Sequence, residues 1–460
     1  MAIESTDKQL GTAPIGKLLA KLAVPAVAAQ FINVLYNIVD RIYIGNIPGS
    51  GALALTGVGV TFPILMLISA FAAFAGMGGA PLASIQLGAG NKDGAERVLG
   101  NSLTLLLCSS LLLTVGFSIF KRPLLMAFGA SENTIGYAES YLSIYLIGTV
   151  FVQIALGLNT FISAQGHATV AMLSVLIGAI INIVLDPIFI FGFHMGVAGA
   201  AWATILSQAV SAIWVLFFLC GKKTTLRIRP KYMLFDKNII GKIVALGIAP
   251  FIMQSTESLV SITLNSGLQK YGGDLYVGSF TIMQSVMQML VMPIQGITQG
   301  AQPIISYNFG ANQYARVRET FGKLIKITML ITCTACLVTV LIPGMLARMF
   351  TQDAALIAIV QKMMPIFFAG IWAFGAQMAC QTTFLGLGQA KISLFLALLR
   401  KVILLVPLAI LLPRIMGNVV GIYIAEPIAD IVASCTTLTL FLCSYKKLLP
   451  VDKKSTATLS

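Results

Sequence analysis

Charge is scarce in this chain. Only 10% of its 460 residues are Asp, Glu, Lys or Arg, against roughly 25% in an average soluble domain. That excludes an ordinary water-soluble globule. Histidine is scarcer: His167 and His194 stand alone at predicted helix ends, so the clustered ligands of a zinc enzyme are absent. Seven cysteines give no disulfide or metal framework. Cys108, Cys333, Cys336, Cys380, Cys435 and Cys443 fall within apolar segments and Cys220 at the end of one. Cys333-x-x-Cys336 has no second pair and no histidine nearby. Strand-like alternation is missing, which excludes a membrane barrel. Gly57-x-Gly59 and Gly88-Ala-Gly90 lack the preceding strand of a dinucleotide fingerprint. No phosphate loop and no nucleophile–base set is present, so the reading is not an enzyme, and no cofactor is expected. An amino-terminal signal peptide is not expected, because Glu4, Asp7 and Lys8 precede any apolar run.

What is abundant is apolar length. Hydrophobic residues make up 57% of the chain. Stretches of about 20 residues or more, the length that crosses a bilayer as a helix, recur throughout. Twelve are expected, at 15–44, 53–84, 94–119, 134–160, 167–192 and 197–219, then 240–269, 275–306, 316–345, 355–386, 391–413 and 418–445. Several exceed the crossing length, which predicts tilt or bends. The fold class is therefore all-α integral membrane.

The chain also repeats itself. Gly78-Gly-Ala-Pro-Leu-Ala-Ser-Ile-Gln-Leu-Gly-Ala89 returns as Gly300-Ala-Gln-Pro-Ile-Ile-Ser-Tyr-Asn-Phe-Gly-Ala311, an offset of about 222 residues. The same offset pairs Gln165-Gly-His-Ala168 with Leu387-Gly-Gln-Ala390, and Gly199 with Gly421. Two pseudo-symmetric six-helix bundles follow: an amino-terminal lobe over 1–220, a basic linker over 221–239, a carboxy-terminal lobe over 240–445 and a tail over 446–460. Two related bundles around a central site are the architecture of a transporter that alternates its access.

Net charge is +14. Crossing twelve times from inside places about 21 of the 30 basic residues on one face and about 7 on the other, the positive-inside bias. The densest cluster is Lys222, Lys223, Arg227, Arg229, Lys231, Lys237 and Lys242. Both termini are then cytoplasmic, and the basic surface faces anionic lipid headgroups and not nucleic acid.

Polar groups at depth are costly and usually face a cavity or a partner. Asn33, Tyr36, Asn37 and Asp40 share one face of the first helix, and Asn182 and Asp186 share one face of the fifth. Asn159 and Thr204 add oxygens from the fourth and sixth. Two carboxylates, amides and a hydroxyl suit a hard cation or a shared proton. Plainer roles compete: Asp40 adjoins Arg41 or the headgroups, and Asp186, before Pro187, caps a break. The second half carries Asn265 at the place of Asp40. It offers instead Glu257 beside Gln254 and a Met/Gln-rich helix with Met283, Met287 and Gln288, an adaptable surface for bulky lipophilic cations. Gap-filling between helices is the equal alternative for those methionines. Glu426, followed by Pro427 and a turn before Asp430, either satisfies local backbone or lines a cavity.

Asn33-Val-Leu-Tyr-Asn-Ile-Val-Asp-Arg-Ile-Tyr-Ile-Gly45, the Gly-Gly-Ala-Pro/Gly-Ala-Gln-Pro pair and the turns after the fourth and tenth helices resemble the multidrug and toxic compound extrusion (MATE) family, over about 15–445. Within it the chain looks most like the bacterial MepA-like branch. The resemblance implies efflux of cationic amphipathic drugs in exchange for H⁺ or Na⁺ across a bacterial cytoplasmic membrane, with lipids but no obligate protein as partners. It implies that Asp40, Asn182, Asp186 and Thr204 carry coupling, with Tyr36, Tyr141 and Asn159 nearby. A Na⁺ there is the only metal it implies. Glu257 matches an acid of another branch's carboxy-lobe site, but the tenth helix here has no acid to complete it. Two other readings are a flippase for lipid-linked saccharides, whose anionic cargo favours a basic cavity, and an integral-membrane enzyme.

Topology is directly testable. A cysteine at Lys231 is expected to react with impermeant thiol reagents only from the cytoplasm, and one at Ser131 only from outside. The reverse pattern overturns the crossing count.

Overall fold

The structure is a computed structural model that describes residues 9–222 and 224–450. It is helical, with no strand among the described residues. In the first half, α1 spans Ile15–Gly45, α2 Gly51–Gly88, α3 Lys92–Ala127, α5 Ala168–Pro187 and α6 Gly196–Cys220. Between them α4 runs as Ile135–Ile147 and Thr149–Ala164, bent by 59° at Gly148. In the second half, α7 spans Lys237–Gly272, α8 Asp274–Gly310, α9 Tyr314–Leu341 and α12 Val420–Leu448. Here α10 is Ala354–Phe367 plus Ile371–Gly386, bent by 50°, and α11 runs over 390–416. Among the described residues, ten helices are long and apolar enough to cross a membrane, and twelve if each bent pair is one span. The twelve expected spans thus appear, two of them broken near mid-length.

Local chemistry explains the boundaries. Asn91 accepts a hydrogen bond from Gly94 N at the start of α3, and Asp236 accepts from Asn238 N and Ile239 N at the start of α7. Such caps satisfy amides that a helix start leaves open. The repeated sequence makes repeated turns. Gly90 after α2 has φ +77° and Asn312 after α8 has φ +58°, both in the left-handed region that suits Gly and Asn. Gly166 and Gly388, after α4 and α10, match at φ +86° and +70°. Each half also has a π-type segment, but at different points of the repeat: one follows α5 at Ile188–Gly192 and the other interrupts α11 at Leu399–Leu405.

Each half has its own apolar core. Leu99, Leu106, Leu158 and Phe161 anchor one in the first half, and Phe280, Met283, Phe368 and Tyr423 one in the second. The basic segment between the halves is not free. Gln165 Oε1 accepts from Thr224 Oγ1 (2.7 Å) and from the amides of Thr225 and Leu226 (both 2.9 Å). Arg229 Nε lies 2.7 Å from Glu96 Oε2. The segment is thereby strapped to the first half.

The halves meet along a seam. At the end carrying Leu10 and Leu449 they share one core, in which Leu18, Leu22 and Ala23 pack with Ile304, Ile305 and Leu324. Arg316 donates to the carbonyls of Leu10 and Ala13 there. Glycines let the backbones touch: a Cβ on Gly88 would lie 1.9 Å from the Tyr307 carbonyl oxygen, and one on Gly310 1.9 Å from that of Ile85. Further along, Phe251 of α7 stacks edge-on against Phe71 and Phe74 of α2.

A side chain at Gly88 is expected to wedge this end apart. Gly88→Val should cost about 1–3 kcal/mol of stability, the usual range for overpacking, read as a lowered Tm. It should also make a cysteine at the buried Ile305 reactive. Unchanged reactivity contradicts the tight seam.

Candidate functional site

Two neighbouring features form the candidate site: a carboxyl pair within the first half and a cavity lined mainly by the first half where it meets the second. The pair is built on α1 and α5. Asp186 is fully buried one turn after Asn182, which donates Nδ2 to Asp186 Oδ1 at 3.3 Å. The Asp40 carboxyl lies within hydrogen-bonding reach of the Asp186 carboxyl. Both acids accept and neither carries a proton to donate when ionised. Accordingly Asp40 Oδ1, Asp186 Oδ2 and Asn182 Oδ1 are buried oxygens without a partner. Arg41, next to Asp40 in sequence, stacks over the Phe62 ring at 5.6 Å and stands within electrostatic range of Asp40.

Hydroxyls surround the pair. Tyr141 reaches the Thr204 side chain and stands within electrostatic range of Asp40. Tyr36 stands within the same range of both acids. Tyr145, which the sequence reading missed, stacks on Tyr141 at 6.1 Å and 19° between rings. Its spacing of four from Tyr141 was the available signal. Two ionised carboxyls in such a setting repel, and a low dielectric magnifies the cost. A single proton, or a small cation taking the free oxygens, relieves it.

The cavity, about 250 Å³, lies where α1, α2, α4, α5 and α6 meet α7 and α8. Seven amide side chains line it: Gln30, Asn33, Asn159, Gln208, Gln254, Gln299 and Gln302. Serines 69, 84, 163, 174, 207, 211 and 306, with Thr160, supply hydroxyls, and no charged side chain is among the lining residues. Gln30 Nε2 donates to Gln299 Oε1 at 3.2 Å across the two halves. Asn159 gives its Nδ2 to the Ala171 carbonyl and leaves Oδ1 without a partner. Tyr36 lines this cavity and also faces the carboxyl pair. The face of α1 that bears Asn33, Tyr36 and Asp40 therefore runs from one to the other.

The predicted residues are thus distributed as follows. Tyr36, Asp40, Tyr141, Asn182, Asp186 and Thr204 come together, and Asn159 joins the cavity beside them. Of the residues expected to hold substrate in the second half, Gln254 lines the cavity. Met283 is fully buried in the second-half core with Met287 packed against it, and Gln288 is exposed. Glu257 is not a free negative charge, because Lys401 Nζ donates to its Oε1 and also to the Met253 carbonyl. Arg400, adjacent, binds Glu426 Oε1 at 2.9 Å and Asp430 Oδ1 at 2.6 Å. No group of three or more His, Cys, Asp or Glu that could hold a metal ion occurs among the described residues.

The comparisons with known proteins agree with this architecture. The family model described as MatE matches residues 25–188 and 250–411. The chain is similar to the multidrug export protein MepA of Staphylococcus haemolyticus (strain JCSC1435), with 26% identity over 443 residues that cover 96% of each chain. Two solved structures share the fold. One is the outward-facing conformation of a multidrug resistance MATE family transporter (TM-score 0.87, 25% identity, 96% of this chain and 98% of that one). The other is a MATE in the bent conformation (TM-score 0.89, 26% identity, 98% and 99%).

If the two acids share one proton, they titrate as a unit. Infrared difference spectra across a pH step should show a protonated-carboxyl band. That band should vanish in Asp40→Asn and in Asp186→Asn alike, with nothing further lost in the double variant. Two independent bands, one removed by each substitution, contradict a shared proton.

Proposed function

This chain belongs to the MatE family, and we propose that it is a secondary active multidrug exporter. It exchanges cationic amphipathic drugs for H⁺ or Na⁺ by alternating access of its two halves. The observation that carries this reading is the double duty of Tyr36, which lines the cavity and faces the carboxyl pair. A change of charge at Asp40 and Asp186 acts on the same face of α1 that a drug contacts. The loaded pair favours one packing of α1 and the empty pair another, so ion entry and drug occupancy bias opposite states.

The cavity suits this cargo. Its amides and hydroxyls accept and donate in many directions without fixing one charge pattern, and Met77, Leu156 and Val175 supply apolar surface. A lipophilic cation sits there near the negative potential of two acids without forming a dedicated ion pair. Flipping of lipid-linked saccharides fits less well, because no Lys or Arg lines the cavity to receive a phosphate. The relatives are multidrug export proteins, which favours a drug cargo over a catalysed reaction.

The closed seam at the Leu10–Leu449 end, read with the positive-inside orientation, supports an outward-facing arrangement in the bacterial cytoplasmic membrane, with both termini inside.

Transport of ethidium in proteoliposomes under separately imposed proton and sodium gradients tests the proposal. One of the gradients should drive accumulation against the ethidium gradient. Asp186→Asn and Asp40→Asn should each lower driven transport by about tenfold or more, a loss of at least about 1.4 kcal/mol in barrier terms. The double variant should be little worse, as expected for residues acting together. Transport that ignores both gradients overturns the antiport reading.

A further inference from the structure

The offset of about 222 residues extends from sequence into structure. Ser84 Oγ donates to the Ala164 carbonyl and Ser306 Oγ to the Gly386 carbonyl, both partners shifted by the same offset, and α5 and α11 start at Ala168 and Ala390. The register therefore compares the cavity of the first half with its counterpart in the second, position by position. Gly178 and Ala179 of α5 line the cavity, and their counterparts on α11 are Arg400 and Lys401. Gln208 lines it from α6, and its counterpart on α12 is Asp430. Thr204, beside the carboxyl pair, corresponds to Glu426.

The small residues that leave space in one half are thus replaced by long charged ones in the other. Arg400 fills the space and binds both acids of α12, with its guanidinium over the Phe374 ring at 4.8 Å. The side chains of Arg400, Glu426 and Asp430 are 15%, 8% and 1% exposed. The wide turn at Leu399–Leu405 starts at this point and carries the two bases. Such a turn re-aims neighbouring side chains relative to a regular helix.

We propose that Arg400, Lys401, Glu426 and Asp430 form an ion-paired plug in the second-half counterpart of the cavity, and that this plug confines lipophilic cations to the first half. It acts in two ways. The side chains occupy the volume, and pairing with Arg400 and Lys401 leaves no unpaired acid there to attract a cationic guest. The plug sets how many drugs one chain holds and which half senses them. This rests on the proposed drug binding in the first half.

The test replaces the plug with the first half's own residues. Made in an E257Q background, so that Glu257 is not left charged without Lys401, R400G/K401A/E426T/D430Q removes both charge signs together, because removing one partner of a buried pair leaves an uncompensated charge. Binding of tetraphenylphosphonium to purified protein is measured by equilibrium dialysis. The wild type should bind one equivalent per chain and this variant two. One equivalent in a variant with a wild-type Tm, or two in the wild type, overturns the plug. No binding to the wild type at all refutes drug binding in the first half. A second measurement needs neither the variant nor the drug. In a chain with its seven native cysteines replaced, a cysteine at Ala155, on the cavity wall, should react with a small methanethiosulfonate. A cysteine at Gln377, its counterpart, should react at least about tenfold more slowly, because thiol reactivity follows access. Equal rates show an open second-half site and overturn the plug.

Discussion

The cost of ionised groups in an apolar bundle governs the rest of this structure. A helix bundle that lies in hydrocarbon offers little to solvate charge, so each buried acid or base needs a partner or a purpose. The two halves answer that demand differently. In the second, Arg400 binds Glu426 and Asp430, and Lys401 binds Glu257. Each of these acids and bases has an opposite partner within hydrogen-bonding distance. In the first, Asp40 and Asp186 face each other with no base between them, and oxygens of both lack partners. One half has its charges settled, and the other holds an electrostatic demand that a mobile ion can meet.

That asymmetry is imposed on a symmetric frame. The matching turns at Gly90 and Asn312, the paired breaks in α4 and α10 and the matched bonds of Ser84 to Ala164 and Ser306 to Gly386 show that backbone geometry was duplicated. Side chains at equivalent points then diverged in size and charge. A cavity lined only by neutral side chains sits against the unpartnered acids, and Tyr36 belongs to both. The seam glycines let the halves close at one end, while the strap over 224–236 keeps the connecting segment on the first half.

Much of this was legible in the sequence because helical periodicity is local. Asp40 follows Tyr36 by four residues and Asp186 follows Asn182 by four, so shared faces could be read directly. The repeat gave the two halves, and apolar length gave the spans. What was not legible depends on distance along the chain. The pairing of Arg400 with Glu426 joins residues 26 apart on different helices, and that of Lys401 with Glu257 joins residues 144 apart. Neither has a periodic signature. The bends at Gly148 and between Phe367 and Ile371 lie in continuous apolar runs, where composition sees only one span. The Met/Gln pattern of α8 left drug contact and gap-filling as equal readings. Met283 and Gln299 lie on one helix, yet the first faces a lobe's own core and the second faces the cavity between lobes.

The central claim is that the carboxyl pair and the cavity exclude each other's occupants. The direct measurement is ion release on drug binding. Purified protein in weakly buffered solution is titrated with ethidium at several pH values, with and without Na⁺, while released protons are counted by a pH dye and released sodium with a ²²Na⁺ tracer. The account predicts release of one H⁺ or one Na⁺ per ethidium bound, and no release from the Asp40→Asn/Asp186→Asn variant. Ethidium binding that releases neither ion, with an affinity indifferent to pH and to sodium, contradicts it.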